Sequence, residues 1–460
     1  MFCYGHCFHP EREIASIDLV VDGRRHRPTA SRMARRDLWE WLYRMRGADP
    51  EGRSYRSGFW STVPIPARDA PGWVELQAAV RPSGAPEEIV PLARIEVVPR
   101  AARRSPRGTL APGTIAICLG TYEPDIELFG AQIESLRAQS DEGWICVVSD
   151  DGTEDARFEQ MLERIGDDPR FEVSRAERRV GPYLNFERAL QMAPDDAELL
   201  APCDQDDRWF PEKLQTLREA LGAGQLVYSD YRLITADGRL IRDTIWEGRG
   251  NEYRNLASVL VANTVAGASM LFRREVVELA LPFPNAPGAW YHDHWLTLVA
   301  LASGDLVYVD RPLYDYVQHA SAVSGHLTTR KYSAAVAGSR GLRSAYFGGY
   351  LPREVQAATL LLRCDSRLDR RKRRALEWFI ASERSPIACL WLALRPLRQL
   401  TGHTETLGGE FALVRGIVWR WLLVGLVGRA RRPGRRLFDA SFPDPPRFEQ
   451  PRLRRWRAGE

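Results

Sequence analysis

The stretch TIAICLG, Thr114–Gly120, decides the fold, because a regular alternation of apolar runs and amphipathic segments begins there. Its run of apolar residues is typical of a strand that is buried on both faces of a sheet. An amphipathic segment follows at Glu127–Gln139, and the next apolar run is WICVVSD, Trp144–Asp150. The alternation continues to ELLAP, Glu198–Pro202. Strands that alternate with helices predict a mostly parallel sheet covered by helices, which is an α/β domain.

The chain on either side of this domain has a different pattern. Short alternating runs such as IDLVV (Ile17–Val21) and WVELQAAV (Trp73–Val80) are separated by Gly, Pro and Asp. They predict a small β-sandwich. From Lys331 onward the pattern is mostly helical and rich in Arg. We therefore expect a β-sandwich-like accessory domain (1–101), a linker (102–113), the α/β domain (114–330) and a basic helical C-terminal region (331–460).

The charge of the chain is unevenly distributed. The 460 residues carry a formal net charge of only +4, but residues 331–460 contain 26 Lys and Arg against 11 Asp and Glu, a net +15. Such a segment predicts an anionic partner. Its basic residues interleave with Trp and Leu in helical patches and no nucleic-acid motif is visible, so we expect no nucleic acid. The remaining interpretations are an anionic membrane surface and an amphipathic bundle packed on the α/β domain.

The cysteines and the apolar runs bear on cellular location. Seven scattered cysteines, an odd number, are typical of a reduced, cytosolic protein. We see no signal peptide and no run of roughly 18 uninterrupted apolar residues. We expect a cytoplasmic protein that lies peripherally on the inner face of the cell membrane. The cluster Cys3, His6, Cys7 and His9 raises the question of zinc, although its spacing is not that of a standard finger.

A group of acids follows the last apolar run, in CDQDDRW, Cys203–Trp209. Carboxylates this close repel one another unless a cation is present. Asp204 and Asp206 are two residues apart, so in an extended segment they point the same way. Two such carboxylates suit Mn²⁺ or Mg²⁺. The alternatives are a solvated turn, or a helix cap in the case of Asp207.

Several sequence blocks occur in the order seen in family 2 glycosyltransferases with the GT-A fold, a Rossmann-like α/β fold. Residues 114–326 resemble that family. The DQDD-x-W-x-x-x-K-L block is most similar to rhamnosyltransferase-type members that build bacterial polysaccharides. The blocks are CLGTYEPD, VVSDDGTED, GPYLNFERAL, CDQDDRWFPEKL, VAGASMLFRREVV and HDHWLTLVALASGDLVYVDRPLYDYVQH.

The resemblance implies a metal-dependent, inverting transfer of a sugar from a nucleotide-diphosphate donor such as dTDP-rhamnose to a glycan or lipid-linked acceptor. The sequence departs from the family at Glu123, where many members have Asn or Asp, and at His292, where many have Glu. The implied nucleotide-binding residues are Thr121, Tyr122, Glu123, Asp150, Asp151 and Asp204, the metal ligands are Asp204, Asp206 and His319, and the catalytic base is Asp293.

The residues themselves support this chemistry. A metal neutralises charge on a departing diphosphate, and a carboxylate accepts the proton of the attacking hydroxyl. Asp293 is flanked by aromatic residues, which suggest a sugar platform. Asp293 as a helix N-cap and His319 as a structural histidine remain alternatives. The expected acceptor and sugar contacts are Trp209, Trp290, His292, His294 and Trp295.

Two other functions fit the same sequence. One is a galactofuranosyltransferase-like enzyme that uses UDP-galactofuranose, since such enzymes also combine an N-terminal β-domain with a helical C-terminus. The other is a non-catalytic carbohydrate-binding or assembly protein, against which the intact acids Asp204, Asp206 and Asp293 argue. The chain lacks the Gln-x-x-Arg-Trp motif of processive synthases, so we expect the addition of one or a few sugars.

Overall fold

The structure is a computed structural model. It describes residues 1–46, 49, 51–98, 109–246, 251, 253–286, 290–318, 341–401 and 407–427.

The N-terminal strands form two small antiparallel sheets. The first has the order β1-β5-β4 and the second the order β3-β2-β6-β7. Leu19 of β2, Phe59 of β5 and Val74 of β6 pack in one apolar cluster, so the two sheets share a core, as expected of a β-sandwich-like arrangement. The elements are β1 (Phe2–His6), β2 (Ile14–Val21), β3 (Arg24–His26), β4 (Ala30–Met33), α1 (Arg36–Arg46), β5 (Gly58–Thr62), β6 (Gly72–Pro82) and β7 (Glu88–Val97).

The α/β domain begins where the sequence predicts it. Ile115 to Leu119 of the first strand are fully buried. Ala116 and Cys118 pack in one apolar cluster, whereas Ile115, Ile117 and Leu119 pack in another. Because successive side chains of a strand point to opposite faces, this strand is covered on both sides. The first part of the domain contains β8 (Ile115–Thr121), α2 (Ile126–Arg137), β9 (Trp144–Asp150), α3 (Asp155–Ile165), β10 (Phe171–Arg175), α4 (Pro182–Met192), β11 (Leu199–Cys203), β12 (Arg208–Trp209) and α5 (Lys213–Leu221).

The second part of the domain makes the sheet mixed. The strand order is β10-β9-β8-β11-β15-β13-β16-β12, with β14 paired to β13. The pairs from β10 to β11 are parallel as predicted, but β15 runs antiparallel to both β11 and β13, and β12 runs antiparallel to β16. β13 and β16 are parallel as well, so the sheet is mixed: its first half is parallel throughout, and its second half combines this parallel pair with antiparallel ones. The added elements are β13 (Leu226–Thr235), β14 (Leu240–Arg242), α6 (Leu256–Val261), β15 (Met270–Arg273), α7 (Arg274–Ala280), α8 (His292–Ser303) and β16 (Leu306–Gln318).

The carboxyl ends of the parallel strands meet at one edge. Thr121, at the end of β8, is paired in register with Asp150 of β9, and Cys203 of β11 is paired with Leu119. The loops that follow these three strands are therefore neighbours. The predicted ligand-binding residues come from those loops.

The described residues of the C-terminal region, 341–401 and 407–427, are mostly helical, as predicted, and they pack on the α/β domain. Tyr346, Leu360 and Trp419 belong to the same apolar cluster as Ala116 and Trp295 of the α/β domain. Within the described residues no helix is both long and apolar enough to span a membrane. The elements are a π-helical turn (Tyr346–Tyr350), α9 (Leu351–Arg363), α10 (Arg370–Ala381), α11 (Pro386–Leu394), a 3₁₀ helix (Arg395–Thr401) and α12 (Leu407–Val427).

Candidate active site

The loop after β11 carries the acids Asp204, Asp206 and Asp207, and its Gln205 fixes it to the end of β8. The Gln205 Oε1 atom accepts a hydrogen bond from the Tyr122 backbone N–H at 2.8 Å, and its Nε2 atom donates to the Tyr122 carbonyl at 3.3 Å. The acids therefore lie at the carboxyl edge of the sheet, where open α/β sheets bind ligands.

Asp204 lies within electrostatic reach of two other carboxylates. Burial, and then the charges of Asp206 and Asp293, raise the pKa of Asp204 to about 7, against the opposing charge of Lys213. Asp293 comes from α8, far along the chain, so folding brings together acids that the sequence separates. Carboxylates that raise each other's pKa in this way are stabilised by a cation.

Asp207 and Lys213 support this loop from within the core. Asp207 is buried, and burial raises the pKa of its carboxyl well above the usual value. The next helix, α5, begins at Lys213, so the alternative that Asp207 caps it is wrong. The Lys213 ammonium is also fully buried, donates to the Ala268 carbonyl and lies 3.2 Å from the centroid of the Trp209 ring. It therefore has partners of its own in the core.

The donor set of Asp204 and Asp206 fits a hard divalent cation. Both offer carboxylate oxygens, which Mn²⁺ and Mg²⁺ prefer, and Asp204 is only half-buried. Among the described residues no three His, Cys, Asp or Glu side chains form a metal site. Two protein carboxylates with the remaining positions left to water and phosphate are usual for Mg²⁺. The third expected ligand, His319, lies outside the described residues.

The N-terminal cysteines and histidines do not form a zinc site in the described structure. Cys3 and Cys7 are free thiols on or near β1, and burial raises the pKa of Cys3 to about 11. A metal ligand needs the thiolate, which this environment disfavours. Among the described residues, these two cysteines, His6 and His9 belong to no group of three potential metal ligands.

Asp293 occupies the first turn of α8 and has the properties of a base. The helix is capped at Tyr291, so the alternative that Asp293 is the N-cap is wrong. Burial raises the pKa of Asp293 to about 6, while the His294 backbone N–H, the Asn263 side chain and the charge of Arg353 limit that rise. A carboxyl with this pKa is ionised at neutral pH and still accepts a proton readily.

His292 is held tightly beside Asp293. Its ring stacks on Phe186, with centroids 3.6 Å apart and an angle of 18° between the planes. On the other side a Cβ atom at Gly267 would lie 2.6 Å from His292 Nε2, so this position needs glycine. Burial lowers the pKa of His292 to about 3, so the ring is neutral at physiological pH. His292 is half-buried and packs on Phe186, and its contact with a sugar stays a prediction.

Three more of the expected sugar contacts are core residues. Trp295 is fully buried and its indole N–H donates to the Ala280 carbonyl at 3.0 Å. His294 is buried, with a ring nitrogen 2.7 Å from the Val259 carbonyl. Trp209 is buried beneath Lys213. All three rings are buried, and their contact with sugar stays a prediction.

The aromatic residues that do reach the surface are Trp290 and Tyr291. Trp290 is half-buried, and its indole N–H donates to the Ala286 carbonyl at 2.6 Å. The Tyr291 side chain is 51% exposed and precedes Asp293 by two residues. These two rings are accessible candidates for a sugar platform at the base.

The nucleotide-side residues Tyr122 and Glu123 remain accessible. Glu123 has a φ of 43°, in the left-handed region that Asn and Asp tolerate better than Glu. Its backbone N–H donates to Thr153 Oγ1 at 2.9 Å, and its Oε1 atom accepts from the Glu154 N–H at 2.8 Å. The Arg179 guanidinium lies over the Tyr122 ring in a cation–π contact, 3.9 Å from the ring centroid. Both residues are half-buried at the edge of the sheet.

Thr121, Asp150 and Asp151 are buried and hydrogen-bonded within the protein. Asp150 is fully buried and accepts hydrogen bonds from Thr121 Oγ1 at 3.1 Å and the Thr153 N–H at 2.9 Å. Asp151 is 1% exposed and accepts from the backbone N–H groups of Val180 and Gly181. Both carboxylates thus accept hydrogen bonds from the protein, and their role in nucleotide binding stays a prediction.

The site also contains residues to which the sequence analysis gave no role. Gln205 and Lys213 lie inside the recognised DQDD-x-W-x-x-x-K-L block, which is the signal that identifies them. Asn263 and Arg353 act on Asp293 from distant parts of the chain, and Arg353 belongs to α9 of the C-terminal region. No local pattern connects them to Asp293.

One protein-family model matches part of the α/β domain. Residues 123–279 match the model of the family described as Glycosyl transferase family 2. The matched segment begins at Glu123 and includes Asp204 and Asp206, whereas Asp293 lies beyond it. The chain therefore contains a glycosyltransferase family 2 domain, with the GT-A-like fold that such domains have, and it is a glycosyltransferase.

Solved structures show only a distant likeness. The S. aureus TarS structure of residues 1–349 in complex with UDP-GlcNAc is 14% identical, covers 69% of this chain and 93% of its own, and has a TM-score of 0.42. A second is the mannosyltransferase PcManGT from Pyrobaculum calidifontis in complex with GDP-Man and Mn²⁺. It is 17% identical, the match covers 70% of this chain and 90% of the PcManGT chain, and the TM-score is 0.37. Curated proteins give no match.

Proposed function

We propose that the chain transfers a sugar from a nucleotide-diphosphate donor to a hydroxyl of a glycan or lipid-linked acceptor, with inversion at the sugar. The observation that carries this proposal is the grouping of Asp204, Asp206 and Asp293 at the carboxyl edge of the sheet. Asp204 and Asp206 serve the donor diphosphate, whereas Asp293 serves the acceptor. One displacement needs one base, and the site offers one carboxylate at the acceptor side.

The proposed cation is Mn²⁺ or Mg²⁺, held by Asp204 and Asp206. When bound, such an ion neutralises charge on the departing diphosphate. Two features support a cation here. Several carboxylates lie near Asp204, and Gln205 holds their loop by a hydrogen bond from the Tyr122 backbone N–H. His319 is proposed as a further ligand, on the family resemblance alone.

Asp293 is proposed as the general base. The Asn263 side chain and the His294 backbone N–H hold its carboxylate at the start of α8. We propose that its carboxylate faces the acceptor and that Trp290 and Tyr291, whose rings are partly exposed, border this acceptor site. The acceptor hydroxyl is positioned there, gives its proton to Asp293 and attacks the anomeric carbon as the nucleotide diphosphate leaves.

Tyr122 and Glu123 are proposed to line the nucleotide pocket. They follow β8, and the left-handed backbone at Glu123 turns the chain at the pocket edge. Backbone strain of this kind is concentrated at binding sites. For the donor sugar we propose rhamnose, from dTDP-rhamnose, on the likeness of the DQDD block to rhamnosyltransferase-type members.

The test is turnover with a panel of nucleotide sugars that includes dTDP-rhamnose and UDP-galactofuranose, each with Mn²⁺, with Mg²⁺ and with EDTA. We expect metal-dependent release of nucleotide diphosphate from one donor, since water can replace the acceptor slowly. Release that is unaffected by EDTA would exclude the metal, and turnover of UDP-galactofuranose alone would replace rhamnose as the donor sugar.

A further inference from the structure

The two helices α11 and α12 expose large apolar side chains to solvent. Ile387 is 70% exposed and Leu390 is 57% exposed on α11, and Phe411 is 49% exposed on α12. The two helices pack against each other. We call the set Ile387, Leu390, Leu394, Phe411, Val418 and Leu422 the C-terminal apolar face.

Helix α12 has apolar residues on both its buried and its exposed side, with Leu413, Ile417 and Leu423 in the core, and two of its charged residues are buried. Its Glu410 and Arg420 are buried and paired, Glu410 with Arg395 at 3.1 Å and Arg420 with Glu383. Phe411, Val418 and Leu422 are spaced seven and four residues apart, so they lie on one exposed side of the helix. A helix in contact with water normally places its charges outward and its apolar residues inward.

Helix α11 also has apolar residues on both its buried and its exposed side. Ala388 and Leu392 are buried against the protein, whereas Ile387, Leu390 and Leu394 are exposed at spacings of three and four residues. Such spacing places them on one side of the helix. The 3₁₀ helix that follows exposes Leu400 at 79%. A contiguous apolar surface of this kind marks an interaction site rather than a random exposed residue.

The charge around the C-terminal apolar face identifies its occupant. Residues 341–427 carry 14 Lys and Arg against 7 Asp and Glu, and residues 428–460 carry ten Arg against four acids. Arg415 is exposed and lies four residues after Phe411, within the apolar side of α12. A second copy of this chain, or its own basic residues 428–460, would bring like charge against this surface, whereas an anionic lipid surface would bring opposite charge.

We propose that the C-terminal apolar face docks in the interfacial region of an anionic lipid bilayer. The apolar side chains enter the acyl boundary, and Arg415 with its basic neighbours contacts the lipid phosphates. The helices lie on the membrane and do not cross it. For the proposed function, which this inference extends, the docking brings Asp293 to an acceptor that is itself carried by a lipid.

Vesicle flotation of the full-length chain tests the proposal. The vesicles are phosphatidylcholine with phosphatidylglycerol, compared with phosphatidylcholine alone. The test variant is Leu390→Glu with Leu422→Glu, one substitution on each helix. The matched control is Ile89→Glu with Leu240→Glu, because these two side chains are 50% and 52% exposed on β7 and β14.

The wild type and the control should float with the anionic vesicles and be released in part by high salt, which screens the attraction. The test variant should bind at least about tenfold more weakly, since each leucine no longer leaves water for an apolar environment. Equal flotation of the two double variants, or failure of the wild type to float, would overturn the proposal.

A second outcome would assign the same surface to a different occupant. If sedimentation velocity without lipid shows a wild-type dimer that the Leu390→Glu and Leu422→Glu changes convert to a monomer, the face is an interface between copies and the membrane proposal is wrong. None of these measurements uses a donor or turnover. Their failure therefore leaves the proposed transfer reaction untouched, and a failed turnover assay leaves the docking proposal untouched.

Discussion

The active-site edge and the C-terminal helices differ in how their charged side chains are paired. At the edge, burial and the charges of Asp206 and Asp293 raise the pKa of Asp204, against the opposing charge of Lys213. In the C-terminal helices, Arg420 is buried with Glu383 as an ion pair. The first arrangement places like charges close together, whereas the second pairs opposite charges within the protein.

This difference separates residues that serve function from residues that serve the fold. Buried charges without partners are unfavourable, and they concentrate where a site must act on a substrate. A buried ion pair contributes little net stability. Removing one partner, however, strongly destabilises the protein, because the other charge is left buried alone. Substitutions at the active-site edge should therefore change turnover, and substitutions in the C-terminal helices should change the free energy of unfolding.

The largest effect is expected at the metal-binding acids. Asp206→Asn removes one of two proposed ligands, so turnover should fall about 10³-fold or more, because several kcal/mol of charge stabilisation is lost. EDTA should do the same to the wild type, and donor affinity should fall with the rate. Steady-state kinetics and circular dichroism measure this, with the exposed Asp167→Asn as control. A variant with wild-type turnover would remove Asp206 from the site.

The next effect concerns stability in the other region. Arg420→Met leaves Glu383 buried without its partner, so the free energy of unfolding should fall by about 3–5 kcal/mol. Arg415→Met, on the exposed side of the same helix, should change it by less than about 0.5 kcal/mol. Urea denaturation measures both. A loss of turnover in folded Arg420→Met without a loss of stability would contradict the division between the two regions.

A smaller effect is expected from pH. The pKa of Asp293 is raised to about 6, and only the ionised carboxylate accepts a proton. Turnover should therefore be nearly constant above pH 7 and fall about tenfold for each pH unit below about 6. A profile measured with donor saturating reports the ionisation of the bound enzyme. A rate that stays constant down to pH 5 would show that this group does not accept the proton.

The sequence predicts the α/β core well because its strands are buried on both faces. Their apolar runs stand out, and acids that follow β8, β9 and β11 must meet at one edge. Strand β15 could not be predicted to run antiparallel, since its burial pattern MLFR fits either direction. The direction depends on how α6 and the turn Gly267–Ser269 deliver the chain to the sheet.

The sequence predicts the site less well where helices are involved. Trp295 is two residues from Asp293, and residues two apart on a helix point to different sides. Asp293 reaches the crevice edge, while Trp295 enters the core. Similarly, Arg415 and Arg420 both interrupt one apolar run in the sequence, but one is exposed and the other is buried with Glu383. Only packing decides which side of a helix faces inward.

The role of Asp293 is tested most directly by measuring turnover and donor affinity together on Asp293→Asn. The substitution keeps the shape of the side chain and removes the proton acceptor, so kcat should fall about 10²–10⁴-fold. Donor affinity by calorimetry should stay close to the wild-type value, because Asp204 and Asp206 hold the donor. Near-normal turnover in Asp293→Asn would contradict the account.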